Sequence, residues 1–183
     1  MELLKKSVLN AEDRRKDNSD KKELLAKDRH PATANFYKNE WAFVEDVMTR
    51  ENIAYQMQYL EFTINLYNDY QIYLTVESLL CKNIIITVGG IIEAAIYDLI
   101  ASDRKRHGLK MDGRTDFTVL LGQAYHDHHF IDRDMWHYLH ELRKKRNLVH
   151  LKGADFQEHA AYTIEQANES IEKLIQFRQN LKK

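Results

Sequence analysis

Cysteine, proline and glycine are all scarce in this 183-residue chain, and each scarcity excludes something. One cysteine, Cys81, cannot form an intrachain disulfide, so the fold needs no oxidising compartment and no disulfide framework. A single proline (Pro31) and six glycines leave few punctuation points, and β-branched alternation is nearly absent, so helices must dominate. Excess charge of either sign is lacking too. Lys+Arg 27 against Asp+Glu 28 gives a formal charge of −1, which excludes a global basic field and requires any nucleic-acid contact to come from a local patch. No uncharged apolar run reaches the ~20 residues of a membrane span, and Met1-Glu-Leu-Leu-Lys-Lys6 lacks the apolar core of a signal peptide. The expectation is a soluble, cytoplasmic protein with no membrane partner.

What is present fits one globular domain. Hydrophobic residues make up 44% of the chain and charged residues 30%, which is incompatible with wholesale disorder. Residues 1–35 form a charged arm, helical or partly disordered, with leucines at 3, 4, 9, 24 and 25 and Pro31 near its end. Residues 36–183 form the domain, expected as an all-α, up-and-down bundle of about four to six helices.

Within the domain, Phe43, Val47, Tyr55, Tyr59, Phe62, Leu66, Tyr70, Tyr73 and Leu74 recur at helical intervals, and core or interface packing is the favoured reading over a base-stacking surface. Asn65, Asn68 and Asp69 mark the expected break between two helices, because short polar side chains compete for backbone hydrogen bonds. Residues 84–101 are apolar on nearly every face and should form a central helix. Gly89-Gly90 predicts close approach of another backbone there. Glu93, midway along that helix, needs an arginine, a histidine or a helix end beside it. Ser102–Gly113 reads as a charged loop, Phe117–Tyr125 as a short helix capped by Asp116, and Asp132 or Asp134 as the cap of a helix running through Val149. A last helix is expected from about Phe156 to Leu181.

Chemistry concentrates in Leu142–Leu151. Met135, Leu139, Leu142 and Val149 project onto one apolar stripe, and Arg146 falls in its middle where leucine is expected. Arg143 and His150 lie on the flank of Arg146, so three groups able to contact phosphate converge. Arginine does not discharge, so Arg146 requires an anionic partner, either internal (Glu93 or Asp98) or a ligand. A second polar concentration, His126 to His129 with His137 and His140, lacks HExxH spacing, a cysteine pair or a carboxylate completing a zinc set, so no metal and no other cofactor is expected.

The run Leu-His-Glu-Leu-Arg-Lys-Lys-Arg-Asn-Leu-Val-His150 resembles the signature of the HEPN superfamily, helical domains bearing an Arg-x(4–6)-His motif, often with Asn after the Arg. The order around it is similar to that family over roughly residues 40–180: Gly-Gly-Ile-Ile-Glu93, then Phe117-Thr-Val-Leu-Leu, then Ile131-Asp-Arg-Asp-Met-Trp136. Spacing departs from the pattern at one point. Arg146, which carries Asn147, has three residues before His150, whereas Arg143 has six, so either arginine is eligible as the motif residue.

The resemblance implies a metal-independent endoribonuclease of toxin or phage-defence type, with Arg143, Arg146, Asn147 and His150 as its catalytic set and Glu93 in support. It also implies a homodimer acting on RNA or nucleotide phosphate, with an antitoxin or other protein as a possible partner. The alternative function is a non-catalytic helical module that binds RNA, a nucleotide or a protein.

Overall fold

The computed structural model describes residues 30–111, 113, 116–147 and 162–181. Its described residues contain six α-helices and no strand, an all-α bundle as the sequence leads one to expect. Of the expected arm, residues 1–35, residues 1–29 lie outside the described residues, and the remainder belongs to the bundle, whose contacts begin at Ala32 and whose first helix begins at Ala34. The Ala32 backbone N–H donates to Glu61 at 2.7 Å, and its carbonyl accepts from Gln58 at 2.9 Å.

Helix α1 spans Ala34–Glu40 and starts where the Thr33 hydroxyl accepts from the Phe36 N–H. Helix α2 spans Val47–Asp69, with Asp46 as its N-cap, and it ends on the expected Asn65/Asn68/Asp69 cluster. Helix α3, Leu74–Arg106, is the central element; α2, α5 (Arg133–Asn147), α6 (Ile164–Leu181) and the short α4 (Phe117–Gly122) all pack on it. Its apolar character is enough by length and composition to cross a membrane, yet 61% of its most apolar window is buried inside the bundle. A π-helical turn, Gln123–Asp127, follows α4. Between α4 and α5 the Asp132 carboxylate accepts from the Met135 N–H at 2.8 Å, which selects Asp132 over Asp134 as the cap.

The central helix is longer than expected. Ser102–Arg106, read from sequence as loop, is helical, and Arg104, Lys105 and Arg106 occupy the last turn, where cations complement the carbonyl end of the helix dipole. Gly108 stops it. Its φ of +71° is the left-handed conformation, and the Gly108 N–H to Lys105 O and Leu109 N–H to Arg104 O bonds satisfy the terminal carbonyls in a Schellman arrangement. At the other end of the chain α6 begins at Ile164, later than Phe156; residues 156–161 and Val149 lie outside the described residues.

The tyrosine stripe of α2, read from sequence as core or interface packing, does not enter the core. Ile53, Met57, Leu60 and Ile64 face inward, at 4% exposure or less, while Tyr55, Tyr59 and Phe62 stand on the opposite side. Both sets have helical spacing. The inner set is aliphatic and packs against the isoleucines of α3, leaving the rings outside.

Buried polar groups on α3 and α2 tie the first helices down. The Asp98 carboxylate, 3% exposed, accepts from the backbone N–H groups of Glu45 (2.7 Å) and Asp46 (2.9 Å), so the central helix itself anchors the loop that starts α2. On α2, buried Glu61 accepts from the Tyr37 hydroxyl at 2.6 Å, and burial together with that carboxylate pushes the Tyr37 phenol well above its ordinary range. Arg178 of α6 pairs with Glu40 at the end of α1. Replacing Asp98 by alanine leaves the part-buried backbone donors of Glu45 and Asp46 without their acceptor. Asp98→Ala is expected to cost about 3 kcal/mol in urea unfolding, with Asp98→Asn recovering part of the loss because one amide oxygen still accepts.

Candidate functional site

Residues 142–147 of the motif segment lie on α5, and the packing of that helix on α3 fixes what its described side chains can do. Met135, Leu139 and Leu142 are buried as the apolar stripe requires. One turn beyond Leu142, Arg146 continues the same stripe. Its aliphatic stem crosses α3 at Gly89, where an added Cβ would sit 3.6 Å from Arg146 Cδ and 3.7 Å from Leu142 Cδ2. The expected close approach at this glycine is therefore by side chains, not by backbone, and Gly90 meets nothing within 4 Å.

Arg146 donates through Nη1 to the Glu93 carboxylate. This ion pair supplies the partner that both residues demanded from sequence, and Asp98, the other acid considered, is committed to the α1–α2 loop. The Arg146 and Glu93 side chains are 34% and 25% exposed, so the pair sits at the rim of the core with part of the guanidinium in solvent. Arg146 is thus half structural. Glu93 orients it and cancels its charge against the protein interior.

Arg143 differs. It lies beside Arg146 on the α5 surface, is half-buried, and its Nε atom is buried with no hydrogen-bond acceptor among the described residues. Lys144 and Lys145 extend the run of cations through the last turn of the helix, where Lys144 pairs with Glu141 at 2.6 Å. Asn147 ends α5 as a helical backbone position; its side chain and the whole of His150 lie outside the described residues.

On the Arg143 flank the structure gathers His126 and His140, which sequence reading had weighed only as metal ligands, with Trp136 and Tyr125. Trp136, His140 and Arg143 follow at i, i+4 and i+7. The Trp136 ring lies 4.4 Å from His140 and 5.5 Å from Tyr125, with His126 edge-on at 6.2 Å. Burial first, and then the neighbouring Arg143 and Lys144 charges, hold the His140 imidazole below its ordinary 6.5. The signal for this cluster was present in the sequence as aromatic and imidazole side chains at helical spacing ahead of the arginines.

The opposite flank of α5 carries a cleft of about 480 Å³ against α6, lined by Asp134, His137, Glu141, Lys145, Glu169 and Lys173 among others. Acids outnumber lysines there, and neither motif arginine reaches it, so it does not suit a phosphate. Among the described residues no three His, Cys, Asp or Glu side chains group as a metal site. Cys81 is buried in the core.

No family model, curated protein or solved structure matches the chain.

Two outcomes are expected from this geometry. In a double-mutant cycle, Glu93→Ala and Arg146→Ala should be non-additive, with a coupling of about 1 kcal/mol appropriate to a partly exposed pair; additive losses would show the ion pair to be energetically idle. For His140, the folded protein resists the proton that the unfolded chain accepts near pH 6.5, so its contribution is full above that pH and is lost as the pH falls toward the lower folded value. Thermal unfolding from pH 7 to 5 should show a falling midpoint, and His140→Gln should flatten that dependence.

Proposed function

We propose that this protein is a HEPN-like, metal-independent endoribonuclease of the toxin or phage-defence type, acting in the cytoplasm on single-stranded RNA. The observation that carries this reading is the unequal use of the two arginines: Glu93 engages Arg146, while Arg143 keeps a buried donor with no acceptor among the described residues. Arg143 is also the arginine whose six-residue spacing to His150 falls within the family pattern. The two facts favour Arg143 as the phosphate-binding arginine and Arg146 as the residue that locks the helix in place.

In this reading the ribose 2′-oxygen attacks the adjacent phosphorus, forming the 2′-O–P bond as the P–O5′ bond breaks. His150 as general base takes the 2′-hydroxyl proton, and a proton is returned to the departing 5′ oxygen. Arg143 stabilises the charge that builds on the non-bridging oxygens, the lever that typically contributes most in such sites. Asn147 positions His150 or a phosphate oxygen. Trp136, two turns before Arg143 on α5, and Tyr125 packed against it offer ring surface to a neighbouring base.

A second reading has its own support. Because Arg146 is satisfied internally and stands only three residues from His150, the helix also suits a non-catalytic module that binds RNA, a nucleotide or a protein such as an antitoxin.

Labelled single-stranded RNA incubated with the protein in EDTA separates the two. Cleavage leaving 2′,3′-cyclic phosphate ends is expected, reduced about 10²-fold or more by Arg143→Ala and by His150→Ala. Arg146→Ala should act mainly through stability. If wild type and His150→Ala leave equal amounts of intact RNA, the enzyme reading fails and the binding module takes its place.

A further inference from the structure

The link from α2 to α3, Tyr70 to Tyr73, and the first turn of α3 break the local rules for a solvated helix start. The cap position of α3 is Tyr73, which makes no side-chain capping bond, where Ser, Thr, Asp or Asn would satisfy an exposed N–H. The next residue, Leu74, holds a left-handed backbone (φ +51°) that favours glycine or asparagine, and its side chain is 80% exposed. Around it Tyr70, Tyr73 and Val76 are exposed at 49%, 61% and 57%, and Leu79 follows one turn on at 41%. Isolated exposed apolar side chains need no explanation, but a cluster of them around a disfavoured backbone does.

This hairpin tip stands clear of the bundle and carries no charge. From Tyr70 to Val76 every residue is uncharged, and the acids on either side, Asp69 and Glu77, are half-buried, with Glu77 accepting from the Tyr67 hydroxyl at 2.5 Å. The Tyr162 N–H donates to Ser78 Oγ at 3.3 Å, which ties the entry of α6 to α3 one turn beyond Leu74 and leaves the tip projecting past it. Neutrality continues along the hairpin. Between Asn52 and Asp103 no fully exposed residue is charged, in a chain that is 30% charged overall, and Lys82, the single lysine or arginine of that stretch, is buried.

We propose that the α2–α3 tip docks on the surface of a lipid bilayer, with Leu74 and Val76 entering the acyl boundary and Tyr70 and Tyr73 seated at headgroup level. Such contact does not depend on the ribonuclease reading. Tyrosine suits that level, because its ring is apolar while its hydroxyl stays with water and headgroups. Leucine and valine leave water on entry, which offsets the cost of holding Leu74 in a disfavoured backbone. The neutrality of the hairpin then sets the kind of surface. With no lysine or arginine facing outward along it, anionic headgroups offer no attraction, and a zwitterionic bilayer such as phosphatidylcholine serves as well. A tip that enters only the interface needs neither the spanning run nor the signal peptide whose lack led the sequence to an expectation of no membrane partner.

Other classes of partner fit the tip less well. Nucleic acid needs cations, which the tip lacks. A stable protein interface takes about 800 Å² from each side, whereas the rings of Tyr70 and Tyr73 and the side chains of Leu74, Val76 and Leu79 offer on the order of 400 Å² between them. A projecting tip must also find a matching hollow in a protein, while fluid lipid conforms to it. At that area the affinity falls in the class of a single acyl chain, with an association constant of about 10⁴ M⁻¹ and half-binding near ~0.1 mM lipid.

Flotation of the full chain with phosphatidylcholine vesicles tests this. Most of the protein is expected on the vesicles at about 1 mM accessible lipid. The bound fraction should change less than ~2-fold between about 0.05 and 0.5 M NaCl, or when phosphatidylserine replaces about a third of the lipid. Leu74→Glu and Val76→Glu should each lower the partition at least ~10-fold. Leu74→Gly removes the side chain but relieves the left-handed backbone, so the thermal midpoint should hold or rise while partition falls, a pairing that a purely structural role for Leu74 does not give. Leu109→Glu, at a 58% exposed position beyond the far end of α3, should leave the partition unchanged. Circular dichroism confirms that each variant keeps its helices; if one variant unfolds, the others carry the test. A wild type that stays off the vesicles at about 5 mM lipid overturns the inference. So does binding that all three tip substitutions leave intact, and so does binding that appears only with phosphatidylserine and is lost in high salt. A chain that ignores vesicles, but loses a protein complex on Leu74→Glu, overturns it and gives the tip to that protein.

Discussion

A helix apolar around most of its circumference must be enclosed, and α3 imposes that requirement on everything else in the bundle. From Ser78 to Ser102 its buried side chains face α2, α4, α5 and α6 in turn, so the positions of those helices follow from its need for cover. The charged residues it carries are harder to accommodate than the apolar ones, because an ion withdrawn from water must be met by an opposite charge or by hydrogen bonds. Each is met by a different element. Lys82 lies over the Tyr162 ring at 5.8 Å, Glu93 takes Arg146 of α5, and Asp98 takes the backbone at the start of α2. These polar contacts fix register where apolar packing alone would tolerate sliding.

The site inherits its geometry from the same requirement. Arg146 occupies a core-facing position only because Gly89 leaves room for its stem and Glu93 accepts its head. With Arg146 committed, α5 cannot rotate without stranding a carboxylate and a guanidinium, and Arg143, one step round the helix, is held at the rim. Tyr162 strengthens the lock: its hydroxyl donates to the Lys145 carbonyl at 3.2 Å while its backbone N–H donates to Ser78 of α3 at 3.3 Å. The end of α5, the entry to α6 and the central helix are thereby joined at one point beside the motif.

Much of this was legible in the sequence, and the failures share a cause. Glu93 announced its need for an arginine, a histidine or a helix end, Arg146 its need for an anionic partner, and Asp132 or Asp134 a cap, because each is a local chemical demand with few solutions. Periodicity was less informative. On α2, Ile53, Met57, Leu60 and Ile64 and the row Tyr55, Tyr59 and Phe62 are both helically spaced, so spacing identified two apolar faces without saying which one the rest of the chain would cover. Ser102–Arg106 misled because charged side chains suggest loop, while the decisive signal, Gly108 as a left-handed stop, stood two residues further on. Gly89 was correctly marked as a point of contact, but glycine says only that room is needed, not whether a backbone or an arginine stem fills it. For the candidate site, sequence brought Arg143, Arg146 and His150 together by projection, and the structure distinguishes the two arginines by their partners.

The inward turning of charge along α2 and α3 links the core to the outer surface. Glu61, Glu77, Lys82, Glu93 and Asp98 all point into the protein or along its seams, where Tyr37, Tyr67, Tyr162, Arg146 and the α1–α2 loop receive them. A helix has a limited number of positions, and those that carry charge to the inside cannot also carry it to the outside. The exposed rows are left to tyrosine, phenylalanine, leucine and valine. On a solvated hairpin nothing favours that division, since lysine and glutamate are equally good helix formers and suit water better. The internal hydrogen bonds, the cation–ring contact and the Glu93–Arg146 ion pair account for where the charges went, and the outer rows carry rings because the inward positions had already taken the charge.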